Sequence, residues 1–398
     1  MCEIYKSYLT LHTIDEGSQQ LVPVMLRLGF VVNPIAGMGG RVGLKGTDGD
    51  ALEEAIARGA EPVSPRRAVE FLRRLRSLGL EPSVEVVTCP GLMGEYETAS
   101  AGFSAEVLPM EVKAKTTAED TKAAVRLMAE LAVDLLVFVG GDGTARDILD
   151  AMRKMDSIPV LGVPSGVKMY SGVFAASPSD AADIVDAVIK RQADMMDFEV
   201  MDIDEDAFRR DRLSIRLYGF LRGPFVPMRL VGSKQATPET LEESENQLAI
   251  ARFVVEEMDP EGVYVLGPGT TVKKVADLLG VDKTVLGVDL YRGGSVLKDV
   301  DERTILREIK GVKKVWIVVS PIGRQGMLFG RGNQQISPNV IKAVGKERII
   351  VLATKGKIQN IEGGVLRVDT GDPDVDEMLR GYLKVITDYR EWRMMRVQ

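Results

Sequence analysis

Residues 133–144 read Val-Asp-Leu-Leu-Val-Phe-Val-Gly-Gly-Asp-Gly-Thr. The apolar run over 134–139 is typical of a buried strand in a parallel sheet. It leads directly into Gly140-Gly141-Asp142-Gly143-Thr144, a tight turn from which only a carboxylate and a hydroxyl project. Glycines let a phosphate or a sugar approach the backbone closely, and open α/β sheets bind ligands at the carboxyl ends of their strands. The pattern predicts an anion-binding loop centred on Asp142; an ordinary strand-to-helix turn with a solvated carboxylate is the alternative.

The segment around this turn, residues 26–198, alternates strand-like and helix-like runs. The strand-like runs cover 28–32, 83–88, 134–139 and 159–163, and the helix-like runs cover 65–78, 118–131, 145–154 and 178–192. Such alternation is typical of a doubly wound parallel sheet with right-handed crossovers. We therefore predict an α/β fold in which the Asp142 turn lies at the carboxyl edge of the first domain's sheet.

The pattern changes near residue 199. Runs at 213–221, 226–231 and 248–256 favour extended, partly antiparallel strands, with helices at 271–279 and 302–309 and a helical stretch at 373–390. The sequence thus predicts four parts: an N-terminal appendage (1–24), an α/β nucleotide-binding domain (25–198), a β-rich domain (199–365), and a C-terminal helical segment that returns to the first domain (366–398).

Composition excludes several classes of protein. The chain has 398 residues and a net charge of −7, which gives no support for nucleic-acid binding. Two cysteines and one histidine argue against a disulfide framework, a zinc site and histidine-based catalysis, so a general base must be Asp, Glu or Lys. We assign no metal ligands. No apolar run approaches the roughly 20 residues that span a bilayer, and no signal peptide is apparent, so the sequence predicts a cytoplasmic protein without membrane contact.

Four other glycine-containing loops are candidate phosphate sites, because backbone amides at strand-to-helix turns favour anions. They lie at 33–40, 162–169, 267–271 and 323–338. The candidate binding residues in these loops and in the Asp142 turn are Asn33, Gly37, Gly39, Gly40, Gly141, Gly143, Thr144, Ser165, Lys168, Gly267, Gly269, Thr270, Thr271, Arg324, Arg331 and Asn333. Flexible loops, a capped helix start and solvated lysine and arginine side chains are the alternatives.

Asn33-Pro34 with its glycine loop, followed by Gly140-Gly141-Asp142-Gly143-Thr144, resembles the ATP-NAD kinase family and its wider superfamily of diacylglycerol, sphingosine and 6-phosphofructo-kinases. The segments 162–169, 267–271 and 330–338 are similar to the archaeal branch described as polyphosphate/ATP-NAD kinases. The resemblance runs from about residue 26 onward. It implies an N-terminal α/β domain, a β-rich second domain and an active site in the cleft between them.

The resemblance also implies a reaction. ATP or polyphosphate would donate a phosphoryl group, with Mg²⁺ or another divalent cation, to the 2′-hydroxyl of the adenosine ribose of NAD, and Asp142 would be the catalytic base. It further implies a homo-oligomer. The Asn-Glu or Asn-Asp pair by which typical members read NAD is absent, and the nearest segment is Glu199-Val200-Met201-Asp202. A kinase acting on another nucleoside, coenzyme or polyol and a non-catalytic nucleotide-binding regulator stay open as alternatives.

Overall fold

A computed structural model describes residues 25–44, 50–113, 115–153, 155, 158–166, 169–203, 215–226, 230, 241–323 and 325–398. Its helices are Asp50–Ala57, Ser64–Ser77, Glu95–Ala101, Ala118–Glu130, Asp142–Met152, Pro178–Ile189, Leu241–Glu257, Thr270–Leu278, Glu302–Ile309, Pro338–Val344, Lys355–Gln359 and Pro373–Leu379. None of these helices is both long enough and apolar enough to cross a membrane. The predicted appendage at 1–24 lies outside the described residues.

The strands are numbered in chain order. They are β1 (Leu26–Val32), β2 (Val84–Thr88), β3 (Ala105–Val107), β4 (Leu135–Gly140), β5 (Val160–Pro164), β6 (Asp194–Ile203), β7 (Ile215–Phe225), β8 (Val263–Leu266), β9 (Asp289–Arg292), β10 (Ser295–Leu297), β11 (Val315–Val319), β12 (Met327–Phe329), β13 (Ile349–Leu352), β14 (Val365–Val368), β15 (Gly381–Asp388) and β16 (Glu391–Val397).

The first domain is the predicted doubly wound sheet. Its order is β3-β2-β1-β4-β5, and every neighbouring pair is parallel. The strand order reverses between β1 and β4, since β2 and β3 lie on one side of this pair and β5 lies on the other. In sheets of this kind the reversal opens a crevice at the carboxyl edge, which is where ligands bind. The α/β prediction is therefore confirmed, and the Asp142 turn lies at this crevice.

The hairpin of β6 and β7 packs on the first domain. Phe198 and Val200 of β6 and Leu221 of β7 belong to the same apolar clusters as the first sheet. The predicted boundary at 198/199 thus falls within β6. The predicted strand at 213–221 corresponds to β7, whereas the sequence pattern predicts no strand over β6, and most of the predicted run 226–231 lies outside the described residues. Pattern alone does not show which core a hairpin covers.

The second domain contains a mixed sheet. Its order, over the described residues, is β10-β9-β8-β11-β13-β15-β16-β14-β12. The neighbours β8, β11, β13 and β15 are parallel, whereas β15 and β16 form an antiparallel hairpin. This sheet and its helices bury a core separate from that of the first domain. The predicted β-rich second domain is confirmed.

One predicted strand, 248–256, is wrong, because these residues belong to the helix Leu241–Glu257. Its buried positions are Gln247, Ile250, Ala251, Phe253 and Val254. Their spacing of three and four residues is that of one helix face. The mostly apolar stretch 248–255, interrupted only by Arg252, hid this period.

The predicted helical stretch at 373–390 is correct only at its start. The helix begins after Asp372, whose carboxylate accepts from the amides of Asp374 and Val375, and it ends at Leu379. From Tyr382 the burial alternates, with Leu383 and Val385 buried and Tyr382 and Lys384 exposed, which is the period of a strand. The hairpin β15–β16 therefore completes the second sheet rather than packing on the first domain as a helix.

The two domains are joined by buried polar contacts. Arg67, in the helix Ser64–Ser77 of the first domain, and Asp369, after β14 of the second, form an ion pair 2.5 Å long with both side chains 8 % exposed. Arg331 Nη2 donates to the carbonyls of Ala175, at 2.8 Å, and Ala176. Charged groups that are buried in this way stabilise a contact only while their partners are in place. The interface is therefore specified by particular pairs and not by apolar area alone.

Candidate functional site

The Asp142 turn begins where β4 ends, and Asp142 is the first residue of the helix Asp142–Met152. Gly140 meets the side chain of Thr144 so closely that a Cβ at position 140 would lie 2.5 Å from Thr144 Oγ1. A Cβ at Gly143, in contrast, would meet no atom within 4 Å. The turn thus has one packed side and one open side, on which the amides of the helix start are available to an anion.

The loops after β1 and β4 are tied together across the strand-order reversal. Asn33 Nδ2 donates to Thr144 Oγ1 at 2.9 Å, and the backbone amide of Asn33 donates to the carbonyl of Val139 at 2.9 Å. These bonds join two of the predicted site residues directly. The crevice walls are therefore held in a fixed relation before any ligand arrives.

The glycine loop after β1 folds back on itself. Gly40 N donates to the carbonyl of Gly37 at 3.3 Å, and Leu44 N donates to that of Gly39 at 2.9 Å. Gly37 has φ of +81°, and a Cβ there would lie 1.9 Å from the carbonyl oxygen of Ser165. Only glycine allows both this left-handed conformation and this close approach.

We expect Gly37→Ala to destabilise the protein clearly more than Gly79→Ala. Gly79 also has a positive φ, +73°, but a Cβ there would meet no atom within 4 Å. Gly79→Ala should cost about 1–2 kcal/mol, the conformational part alone, whereas Gly37→Ala must also displace the Ser165 carbonyl. Urea unfolding midpoints of the two variants measure the difference. Equal midpoints would contradict the close contact between the loop of Gly37 and the carbonyl of Ser165.

Ser165 lies at the end of β5 and completes this side of the crevice. Its amide donates to the carbonyl of Gly140 at 3.0 Å, and its hydroxyl accepts from Ser64 Oγ at 2.8 Å. Ser64 Oγ also lies 3.0 Å from the carbonyl of Ala36. The loops after β1, β4 and β5 are thus one hydrogen-bonded unit.

The Asp142 carboxylate is buried, 5 % exposed, and aimed at the loop after β5. Oδ2 accepts from the amide of Tyr170 at 2.6 Å, and Oδ1 accepts from that of Ser171 at 3.0 Å. Burial raises the pKa of Asp142 to about 7, although these hydrogen bonds oppose the rise. A carboxylate has about four acceptor positions. The two amides and the Ser171 hydroxyl occupy three of them, so one remains for a substrate hydroxyl. The alternative of a solvated Asp142 is wrong.

The segment 199–202 lies beside this carboxylate. Gly172 N donates to the carbonyl of Glu199 at 2.9 Å, and the Ser171 hydroxyl lies 3.0 Å from both the amide and the carbonyl of Met201. Asp202 pairs with Arg146 at 2.8 Å, and its charge contributes to the raised pKa of Asp142. The segment 199–202, the nearest candidate for the absent Asn-Glu pair, therefore borders the crevice.

The loop 267–271 belongs to the second sheet, at the carboxyl end of β8. Gly269 N donates to the carbonyl of Val285 at 2.8 Å, and Thr270 Oγ1 accepts from Gln247 at 3.2 Å. Gly267 and Thr271 are buried. These contacts all lie within the second domain, so they do not join this loop to the Asp142 turn.

Sequence reasoning missed Lys357, which lies at the same sheet edge as the loop 267–271. Its Nζ contacts Ser320 Oγ at 3.0 Å, at the end of β11. Burial lowers the pKa of Lys357 to about 8, against the attraction of Glu243. A lysine in the middle of the short helix Lys355–Gln359 carries no special signal in the sequence. Only the packing of the second sheet shows its surroundings.

The remaining candidates take other positions. Arg331 is buried at the domain interface, and burial lowers its pKa to about 10. Asn333 is fully buried; its Nδ2 donates to the carbonyl of Leu328 at 2.8 Å, and its Oδ1 accepts from Gly330 N at 3.1 Å. Both residues therefore stabilise the loop and the interface in this structure. Lys168 and Arg324 lie outside the described residues.

Comparisons with known proteins agree with this architecture. The family model "ATP-NAD kinase N-terminal domain" matches residues 28–193, and "ATP-NAD kinase C-terminal domain" matches residues 259–397. A comparison with curated proteins found no match. The two domains are those of an ATP-dependent kinase of the NAD kinase type. Since the matches together span well over half of the sequence, this chain belongs to the ATP-NAD kinase family.

Proposed function

We propose that this protein transfers the γ-phosphoryl group of ATP to the 2′-hydroxyl of the adenosine ribose of NAD, forming NADP and ADP. The observation that supports the proposal most is the buried Asp142 carboxylate at the strand-order reversal, held by the amides of Tyr170 and Ser171. A carboxylate fixed at this position is suited to orient one hydroxyl group. Membership of the family supplies the expected donor and acceptor.

In the proposed reaction Asp142 accepts the proton of the attacking hydroxyl. The hydroxyl oxygen forms a bond to the γ-phosphorus as the bond from that phosphorus to the bridging oxygen breaks, and ADP leaves with the electron pair. Phosphoryl transfer requires mainly positioning and charge stabilisation by the protein. The amides at the open side of Gly143 and along the loop 37–40 would provide part of that stabilisation.

A divalent cation fits this site as a companion of the phosphates. The described residues contain no group of three or more His, Cys, Asp or Glu side chains that could hold a metal ion. Mg²⁺ commonly keeps several waters and binds through substrate phosphates with one or two carboxylates. When bound in this way it would neutralise phosphate charge.

The activity should fall as the pH drops below about 7. Burial raises the pKa of Asp142 to about 7, and only the ionised form accepts a proton, so activity is present above this pKa and lost below it. We expect kcat/KM for NAD to decrease about tenfold per pH unit on the acid side. A profile from pH 5.5 to 9 at constant ionic strength measures it. The residual activity of Asp142→Asn should lack this acid limb, and an unchanged limb would assign it to another group.

The decisive experiment incubates the purified protein with Mg²⁺, ATP and NAD and detects NADP with an NADP-specific dehydrogenase cycling assay. NADP formation that depends on ATP supports the proposal, and replacing ATP by polyphosphate tests the second donor. If ATP is consumed only with another hydroxyl compound, the protein is a kinase whose acceptor is that compound and not NAD. Tight nucleotide binding with no turnover on any acceptor would favour the regulator. Gel filtration with light scattering tests the expected homo-oligomer.

A further inference from the structure

One face of the second sheet is covered by helices over only part of its width. The helices Leu241–Glu257 and Thr270–Leu278 pack on β8, β11 and β13, and their apolar side chains form one cluster with these strands. The helix Leu241–Glu257 reaches β15 near the turn of the hairpin β15–β16, where Asn246 Nδ2 donates to the carbonyl of Thr387 at 2.9 Å. Below this point the side chains on the same side of the hairpin are exposed.

The exposed side chains of the hairpin form one continuous surface. Ile386 lies at the edge of the helix-covered cluster and pairs with Trp392, which places the surface on the same side of the sheet as the two helices. Tyr382 is 62 %, Trp392 50 % and Met394 59 % exposed. We call this surface the outer hairpin face, and it consists of Tyr382, Lys384, Trp392, Met394 and Arg396.

The composition of the outer hairpin face is that of a protein interface. Tryptophan, tyrosine, methionine and arginine are enriched where proteins meet, and adjacent exposed apolar side chains mark such surfaces. The chain has only two tryptophans, and Trp392 is one of them. Lys384 Nζ lies 3.9 Å from the centre of the Trp392 ring, so the indole is already held on the face. An aromatic side chain ordered in this way loses little entropy when a partner covers it.

The charges beside the face are opposite to those on it. Lys384 and Arg396 form no ion pair within the part of the chain that the structure describes. The neighbouring helix Leu241–Glu257 is acidic, and its Glu245 and Glu257 are exposed. Each molecule thus presents a basic, apolar face and an acidic helix side by side.

This arrangement is self-complementary. In a two-fold dimer the same surface of both subunits is used, so a patch that meets a second patch is met by it in return. A stable interface buries about 800 Å² on each partner, which is more than a face two strands wide offers, so the adjacent helix must share the contact. We propose that a second copy of this chain covers the outer hairpin face, with the helix Leu241–Glu257 of each copy against the outer hairpin face of the other.

Sedimentation equilibrium of the full-length protein over a range of concentrations tests the proposal. The wild type should dimerise. Met394→Glu places a negative charge within the apolar face and opposite the acidic helix, so it should weaken dimerisation at least about 30-fold, the loss of one interface hot spot. Leu297→Glu is the matched control, because Leu297 is 45 % exposed on β10, at the other side of the same sheet. It should dimerise like the wild type, and thermal unfolding confirms that both variants fold.

Tryptophan fluorescence locates the contact, since the chain has only two tryptophans. The other, Trp316, stacks on Tyr264 with the ring centres 5.1 Å apart. Dilution of the wild type should shift the emission to longer wavelength as Trp392 becomes exposed, and Trp392→Phe should lack this shift.

Three results would overturn the proposal, and none depends on the proposed reaction because no substrate is present. A wild type that stays monomeric at every concentration would leave the face to a different protein. Unchanged dimerisation of Met394→Glu, or a dilution-dependent shift that persists in Trp392→Phe, would place the contact elsewhere on the molecule.

Discussion

Replacing Asp142 with Asn is expected to lower kcat by about 10²–10⁴-fold, the usual contribution of general-base catalysis. The amide has the shape of the carboxylate but cannot accept the hydroxyl proton. Oδ1 can still accept from the amide of Ser171, whereas Nδ2 would face the amide of Tyr170 as a second donor. We therefore expect a lower unfolding midpoint in a variant that still folds. The NADP cycling assay measures the loss, and the thermal unfolding midpoint reports whether the variant stays folded.

Asp150→Asn is the control for this variant. Asp150 lies on the same helix as Asp142, is exposed, and pairs at 3.1 Å with Arg153, the residue that follows this helix. The substitution removes the same charge from the same element, so it should leave kcat unchanged. Near wild-type turnover in Asp142→Asn would remove Asp142 from the mechanism and with it the main support for the proposed function.

The largest effect on stability is expected for Asp369→Asn. The substitution leaves Arg67 buried without its closest counter-charge. Burial disfavours the charged form of Arg67, and the charges of Asp369 and Glu70 outweigh this effect and keep its pKa above the usual range. Breaking one partner out of a buried ion pair costs about 3–5 kcal/mol. We expect the domains to lose contact at a lower urea concentration than in the wild type. Fluorescence and limited proteolysis between the domains measure this midpoint.

Two variants test whether the effect comes from burial. Glu377→Gln breaks an exposed pair with Arg380, whose side chains are 69 % and 61 % exposed, and should leave the urea midpoint almost unchanged. The double variant Arg67→Met with Asp369→Leu removes both charges and should be more stable than Asp369→Asn alone. If Asp369→Asn unfolds at the wild-type urea concentration, the pair contributes nothing to the interface.

The parts of the fold that could be predicted from the sequence were those with local signals. The strand β4 and the turn at Asp142 are contiguous in the chain, and their apolar run and glycines indicate a buried strand and a backbone turn. The helix Glu302–Ile309 follows a capping residue, Asp301, whose carboxylate accepts from Thr304 N at 2.8 Å. In each case the residues that determine the structure lie within a few positions of one another.

The parts that could not be predicted depend on partners far away in the chain. Arg67 and Asp369 are 302 residues apart, and the sequence around either residue does not indicate that the other is its ion-pair partner. Lys357 is unremarkable until β11 places Ser320 beside it. The candidate site followed the same division: the Asp142 turn was predictable, whereas the amides of Tyr170 and Ser171 that hold its carboxylate were not.

The position of the hairpin β15–β16 constrains the order in which the second sheet can assemble. β14 and β12 precede this hairpin in the chain, yet β14 pairs with β16, and β15 pairs with β13. β12 and β14 therefore cannot join the rest of the sheet until the hairpin at 381–397 has formed between β13 and β14. Closing such distant pairings is slow. Folding of the second domain should then wait for one late insertion step, while the first domain can complete its own sheet independently.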